Sequence, residues 1–178
     1  QELNFLTNFV SDDQVDPRIG LRAMLRALEF DRETENLSDW LEMLVFTYRR
    51  STTFDADHQK AIKVLLKNGA DETAAQLLIE SATAETNEKI QRALFLDAGD
   101  HLLQVNPKEA ARCYYKAFET KNDDRVILSK LLDAYQQSEE WAKSIKVLKK
   151  LASLEEDMTM RAKYLYAMGV IQRDKQHN

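Results

Sequence analysis

The sequence predicts an all-α protein built of antiparallel helical hairpins, and three observations carry that expectation. Glycine and proline number only 4 and 2 among 178 residues, too few for the turns that most β-rich folds need. Apolar residues recur at helical spacing in nearly every segment, and runs of β-branched alternation are absent. The polar breaks between periodic segments are short, which makes consecutive helices antiparallel neighbours.

Each helix follows from its own signals. A first short helix is expected over Glu2 to Val10, ending at the polar Ser11-Asp12-Asp13. Asp16-Pro17 reads as a cap followed by a proline in the first turn, opening a helix to Phe30 with Ile19, Met24, Leu25 and Leu28 as its apolar positions. The polar stretch 31–36 separates it from a helix over Leu37 to Arg50, where Trp40, Leu41, Leu44, Val45 and Tyr48 form one stripe. Ser51-Thr52-Thr53 breaks the pattern. A helix over Asp55 to Lys67 then stops at Asn68-Gly69, a left-handed cap pair. Asp71 is the expected cap of a helix to Ala82, and the link 83–87 leads to a longer helix over Glu88 to Gln104. Asn106-Pro107 stops one helix and starts the next, which runs to Glu119. Helices over Asp124–Gln137, Glu139–Leu154 and Asp157–Asp174 complete the chain.

Charge and cysteine content narrow the function classes. The 30 acidic and 25 basic side chains give a net charge of −5, and no long basic run offers a footprint for a phosphate backbone, so nucleic acid is not an expected partner. The densest basic stretch, Lys143, Lys146, Lys149 and Lys150, reads as the solvated face of an amphipathic helix. The single cysteine, Cys113, excludes an intrachain disulfide and a multi-cysteine zinc site, and its helical setting predicts a buried structural thiol. A lone thiol fits a reducing compartment, with the cytoplasm favoured. No stretch approaches the length of a membrane span and no secretory leader opens the chain. A start at Gln1 rather than methionine suggests a piece of a longer protein.

A repeat emerges when helices are compared in pairs. One second helix carries Ala110, Tyr114 and Ala117, and another carries Ser144, Leu148 and Leu151, with identical internal spacing at a distance of 34 residues. Ahead of them stand Ala98, Gly99 and Leu102 in one first helix, and Leu131, Leu132 and Tyr135 in the other. Met168-Gly169 repeats the signal in the last helix, and Ala74, Leu78 and Ser81 fit the second-helix pattern, with Leu41, Val45 and Tyr48 fitting it loosely. The anchors at 41, 74, 110 and 144 are 33, 36 and 34 residues apart. These residues resemble the tetratricopeptide repeat (TPR) family, whose first helix carries Leu-Gly and an aromatic and whose second carries Ala-x3-Phe and another Ala.

The resemblance is clearest over residues 88–175. It departs from the pattern where the family proline is missing, where Leu132 replaces glycine, and where Leu41 is large for its position. It implies a single helical repeat domain over 1–178, stacked as a right-handed TPR-like α-solenoid. Residues 1–85 read as generic or divergent hairpins, either a general solenoid or an irregular bundle. Residues 86–178 read as TPR-like repeats with an incomplete last hairpin. Stacking would bury a face that a lone hairpin cannot cover, and Tyr114, Tyr115, Phe118, Tyr135 and Trp141 are expected in that packing. The stripe Met158, Ala162, Leu165, Met168 and Ile171 of the last helix is expected to be covered by further chain or by a second copy.

No phosphate-binding loop, dinucleotide-binding glycine pattern, nucleophile elbow or zinc-protease helix is present. His58, His101 and His177 are far apart in sequence. His101 beside Asp97 and Asp100, and the run Asp55-Ala-Asp57-His58, read as surface hydrogen bonding and helix capping rather than metal or acid–base sites. The expectation is a non-catalytic protein, without metal or cofactor, that binds a partner peptide or helix. By the resemblance, first helices line the concave face, and the matching positions are Asp97, Asp100, Gln104, Lys130, Asp133 and Gln137. Their aspartates favour a ligand with basic or donor groups. The carboxylate clamp of the chaperone-binding subset is not expected, because Asp100 and Asp133 stand where that subset has asparagine. The competing expectation is an architectural subunit or a helical segment of a larger assembly, and a helical hydrolase stands a distant third.

Overall fold

The computed structural model of the protein describes residues 2–12, 14–30, 37–51 and 53–175. The expected link 31–36, Asp13, Thr52 and His177 lie outside the described residues. Among the described residues the chain forms ten α-helices and no strand. They are α1 (Glu2–Ser11), α2 (Pro17–Phe30), α3 (Leu37–Arg50), α4 (Ala56–Lys67), α5 (Asp71–Ala84), α6 (Glu88–Leu102), α7 (Pro107–Glu119), α8 (Arg125–Gln137), α9 (Trp141–Leu154) and α10 (Met158–Lys175). None of them is long and apolar enough to cross a membrane. Contacts divide the chain into two units, 1–85 and 86–178.

Short polar side chains fix most of the helix starts. Asp16, Asp55, Asn87, Asn106, Asp124 and Asp157 each accept hydrogen bonds from backbone N–H groups in the first turn that follows. Asp71 does not cap α5. Ala70 holds the cap position without a side-chain bond, and Asp71 is the first helical residue, placing its charge at the positive end of the dipole. The reason lies upstream: Gly69 at φ +73° reverses the chain so tightly that Ala70 N–H closes on Leu65 C=O at 3.0 Å, leaving only Asn68, Gly69 and Ala70 between the helices. α6 stops at Leu102, short of Gln104, because Val105 and Asn106 N–H both turn back onto the Leu102 carbonyl.

In residues 1–85, each helix packs on the next, and α1 also meets α3 and α2 meets α4. Leu21, Met24, Leu25 and Leu28 of α2, Trp40, Leu44 and Tyr48 of α3, and Ile62, Leu65, Leu77 and Leu78 of α4 and α5 are all buried. Ile19 is 55% exposed, outside the stripe predicted for it, because two residues back from Leu21 is more than half a turn around the helix. Polar side chains fasten the same helices. Arg22 pairs with Asp57 at 2.5 Å, Arg49 with Glu80 at 2.9 Å, and the Tyr48 and Ser81 hydroxyls share a hydrogen bond of 2.7 Å.

Residues 86–178 show repeat-like packing of successive helices, α6 on α7, α7 on α8, α8 on α9 and α9 on α10. The interior uses Ala110, Tyr114 and Ala117 from α7, then Ser144, Leu148 and Leu151 from α9, every one of them buried. Between them α8 contributes Ile127, Leu128, Leu131, Ala134 and Tyr135. Gly99 sits where a Cβ atom would lie 2.5 Å from Tyr114 Cε1, so α6 approaches α7 at a distance that only glycine permits. Gly169 has no such neighbour: nothing lies within 4 Å of its added Cβ, and the Met168-Gly169 pair makes no comparable approach. The α10 stripe is covered unevenly. Ile171 is buried against α9 and Met168 half-buried, while Leu165 and Met158 are 48% and 80% exposed.

Candidate functional site

The six residues matched to a concave face lie on α6, α8 and the turn after α6, and the structure treats them differently. Asp100 is taken up internally: Tyr114 donates its hydroxyl to Asp100 Oδ1 at 2.7 Å, and Lys130 forms an ion pair with the same oxygen. The Lys130 ammonium also lies 5.5 Å from the Tyr114 ring centroid. One carboxylate therefore ties α6, α7 and α8 together. Burial first, and then the hydrogen bond to the Asp100 carboxylate, push the Tyr114 hydroxyl well above its ordinary pKa, so it stays a donor.

Asp97 remains 56% exposed, with a loose i,i+4 pair to His101 Nε2 at 3.4 Å. Asp133 and Gln137 are exposed on α8 one and two turns beyond Lys130, and Gln104 is exposed in the turn after Leu102. The structure thus brings Asp100 and Lys130 together and leaves Asp97, Asp133 and Gln137 pointing outward with acceptor capacity unspent on the core. The trio Asp97, Asp100 and His101 is split, His101 turning to Asp97 and Asp100 to Tyr114 and Lys130. Among the described residues no three His, Cys, Asp or Glu side chains are grouped to hold a metal ion.

The run Asp55 to His58 is a helix start. Asp55 caps α4 through Asp57 and His58 N–H, and His58 Nδ1 lies 2.8 Å from Asp55 Oδ1 in a capping box. The His58 ring is 2% exposed and packs edge-on against Tyr48 with centroids 4.5 Å apart. Burial opposes ionisation of Asp55, but the His58 and backbone hydrogen bonds outweigh it and hold the carboxyl below its usual range. Burial also pushes the Tyr48 hydroxyl up to about 12, against the Ser81 hydrogen bond.

A second surface went unnominated by the sequence. A groove of about 1070 Å³ opens along α7 and α9, with Leu128, Leu131 and Tyr135 of α8 beneath it. Its rims carry Lys108, Arg112 and Lys116 from α7, and Lys143, Lys146 and Lys150 from α9, against the carboxylates of Glu119 and Glu140. Lys149, counted with that basic run, is exposed but does not line the groove. Tyr115 is 48% exposed and forms part of the groove wall beside Phe118, their ring centroids 6.4 Å apart. Tyr114 takes the interior instead, and Tyr115 lies about 100° further around α7, on the groove side. The signal was present in two triplets at helical spacing, 108/112/116 and 143/146/150, one repeat apart. Each reads as an ordinary solvated face until α7 and α9 are set side by side. No family model matches the chain, and no curated protein matches it.

Proposed function

We propose that this chain is a non-catalytic protein-interaction module, a TPR-like stack of helical hairpins that holds a basic or donor-rich peptide or helix on the face lined by α6 and α8. The observation that supports it is the division of labour in residues 86–178. Side chains spaced 34 residues apart on α7 and α9 fill the interior, while Asp97, Asp133 and Gln137 on the first helices face outward with no part in the core. Asp100 and Lys130 neutralise one another and stiffen this face, which leaves Asp97 and Asp133 as the recognising charges.

The test is a titration of a fluorescent Lys-rich peptide against the whole chain and against Asp97→Lys/Asp133→Lys, with Asp100 untouched so that Tyr114 keeps its partner. A loss of affinity of about tenfold or more is expected, equivalent to about 1.4 kcal/mol. Equal binding by both proteins would remove this face from the account. A second reading, an architectural segment of a larger assembly, draws on α10, where Met158, Leu165 and Tyr166 are 80%, 48% and 76% exposed.

A further inference from the structure

We infer that the groove between α7 and α9 is a second docking surface, shaped and charged for an acidic amphipathic helix of a partner protein. It lies on second helices, is opposite in charge to the α6–α8 face, and does not depend on that face being used.

Charge comes first. Six cationic side chains line the groove against two carboxylates, in a chain whose net charge is −5. Four of the six have partners: Arg112 with Glu109, Lys116 with Glu119, Lys143 with Glu140 and Lys150 with Asp123. These pairs are solvent-exposed on the cationic side, the kind that contributes little and yields to a better-placed carboxylate. Lys108 and Lys146, one on each rim, form no ion pair among the described residues. A ligand lying between the rims meets positive charge on both flanks.

Shape and polarity complete the match. The cations of α7 recur every four residues, a rise of about 6 Å, which is also the axial step between residues i and i+4 of a bound helix. The α9 side of the groove from Glu140 to Lys150 extends about 15 Å, the length of about ten residues of a bound helix. The rest of the lining is largely apolar: Ala111, Tyr115 and Phe118 of α7, Leu128 and Leu131 of α8, and Val147 of α9. Burying a half-exposed tyrosine under an apolar stripe gives such a site its anchor, as aromatic side chains at pocket walls commonly do. A phosphate backbone would satisfy the rims and leave this apolar base unused.

The test uses a fluorescein-labelled 14-residue peptide with leucines at i, i+3, i+4 and i+7 and glutamates on both flanks. Three further probes accompany it: the same peptide with lysine for glutamate, the same peptide with serine for leucine, and a single-stranded oligonucleotide. Anisotropy is read at low and moderate salt on the whole chain, on Lys108→Glu/Lys146→Glu, and on Lys149→Glu/Lys163→Glu, an equal charge change at exposed sites outside the groove. The acidic leucine peptide is expected to bind, the lysine version to show no dependence on Lys108 and Lys146, and the serine version to bind at least tenfold more weakly. Reversal at Lys108 and Lys146 should weaken the acidic peptide at least tenfold, and reversal at Lys149 and Lys163 less than twofold. Absence of binding, equal loss in both variants, equal affinity of the serine peptide, or tighter capture of the oligonucleotide would each overturn the proposal. Because the Asp97/Asp133 variant is read with a basic peptide, either surface can fail while the other stands.

Discussion

Two glycines in helical positions predict opposite outcomes for the same substitution. At Gly99 an added Cβ would lie 2.5, 2.7 and 3.0 Å from Cε1, Cδ1 and Cζ of Tyr114, where carbon atoms prefer about 3.5–4.0 Å. The ring would have to retreat by about 1 Å, yet it is fully buried and its hydroxyl is fixed to Asp100. Overpacking of this kind costs about 1–3 kcal/mol, and weakening a hydrogen bond to a carboxylate adds about 1.5 kcal/mol or more. Alanine returns about 1 kcal/mol through its better helix propensity, so Gly99→Ala should lose about 2 kcal/mol. At Gly169 nothing lies within 4 Å, and Gly169→Ala should gain up to about 1 kcal/mol from propensity alone. Urea unfolding followed by circular dichroism, with peptide-level hydrogen exchange on α6 and α7, measures both. Equal effects of the two substitutions, or a stabilising Gly99→Ala, would refute the close approach of α6 to α7.

Other outcomes follow from burial and charge. Cys113 is 3% exposed and burial pushes its thiol up to about 12, so at pH 8 roughly one thiol in ten thousand is thiolate. Iodoacetamide should label it only as the fold opens, and rapid labelling of the folded chain would contradict its place in the core. In residues 1–85 the Asp55 carboxyl sits below its ordinary value, so its stabilisation is complete above about pH 3.9 and fades as pH falls toward the folded value. Asp57 beside Arg22 and Glu80 beside Arg49 shift in the same direction. Asp55→Ala should therefore cost about 1 kcal/mol at pH 7 and progressively less below about pH 4. A cost independent of pH would mean that packing, not charge, sets it.

The parts of the fold readable in the sequence are those set by local chemistry. Asp16-Pro17, Asn68-Gly69 and Asn106-Pro107 mark helix ends because capping and left-handed turns involve only a few adjacent residues. That Ala110 and Ser144 would both be buried was readable from their matching settings in sequence, 34 residues apart. What stayed hidden depends on partners far away in sequence. Asp100 looks like a free groove carboxylate until Tyr114, 14 residues on, and Lys130, 30 residues on, are seen to share it. Tyr115 looks like core until its neighbour Tyr114 is found to take the interior. The basic groove needs α7 and α9 side by side, and neither helix announces it alone.

The two proposed binding surfaces rest on residues one repeat apart holding equivalent interior positions, and Ala110 and Ser144 are the pair that tests this most directly. Both side chains are 0% exposed. The measurement is the unfolding free energy of Ala110→Leu and of Ser144→Leu, each against the unaltered chain in urea. Each should lose about 1–3 kcal/mol by overpacking, with the two losses within about 1 kcal/mol of each other. If either leucine is accommodated at a cost under about 0.5 kcal/mol while the other is not, the two positions do not share one environment and the repeat is not real.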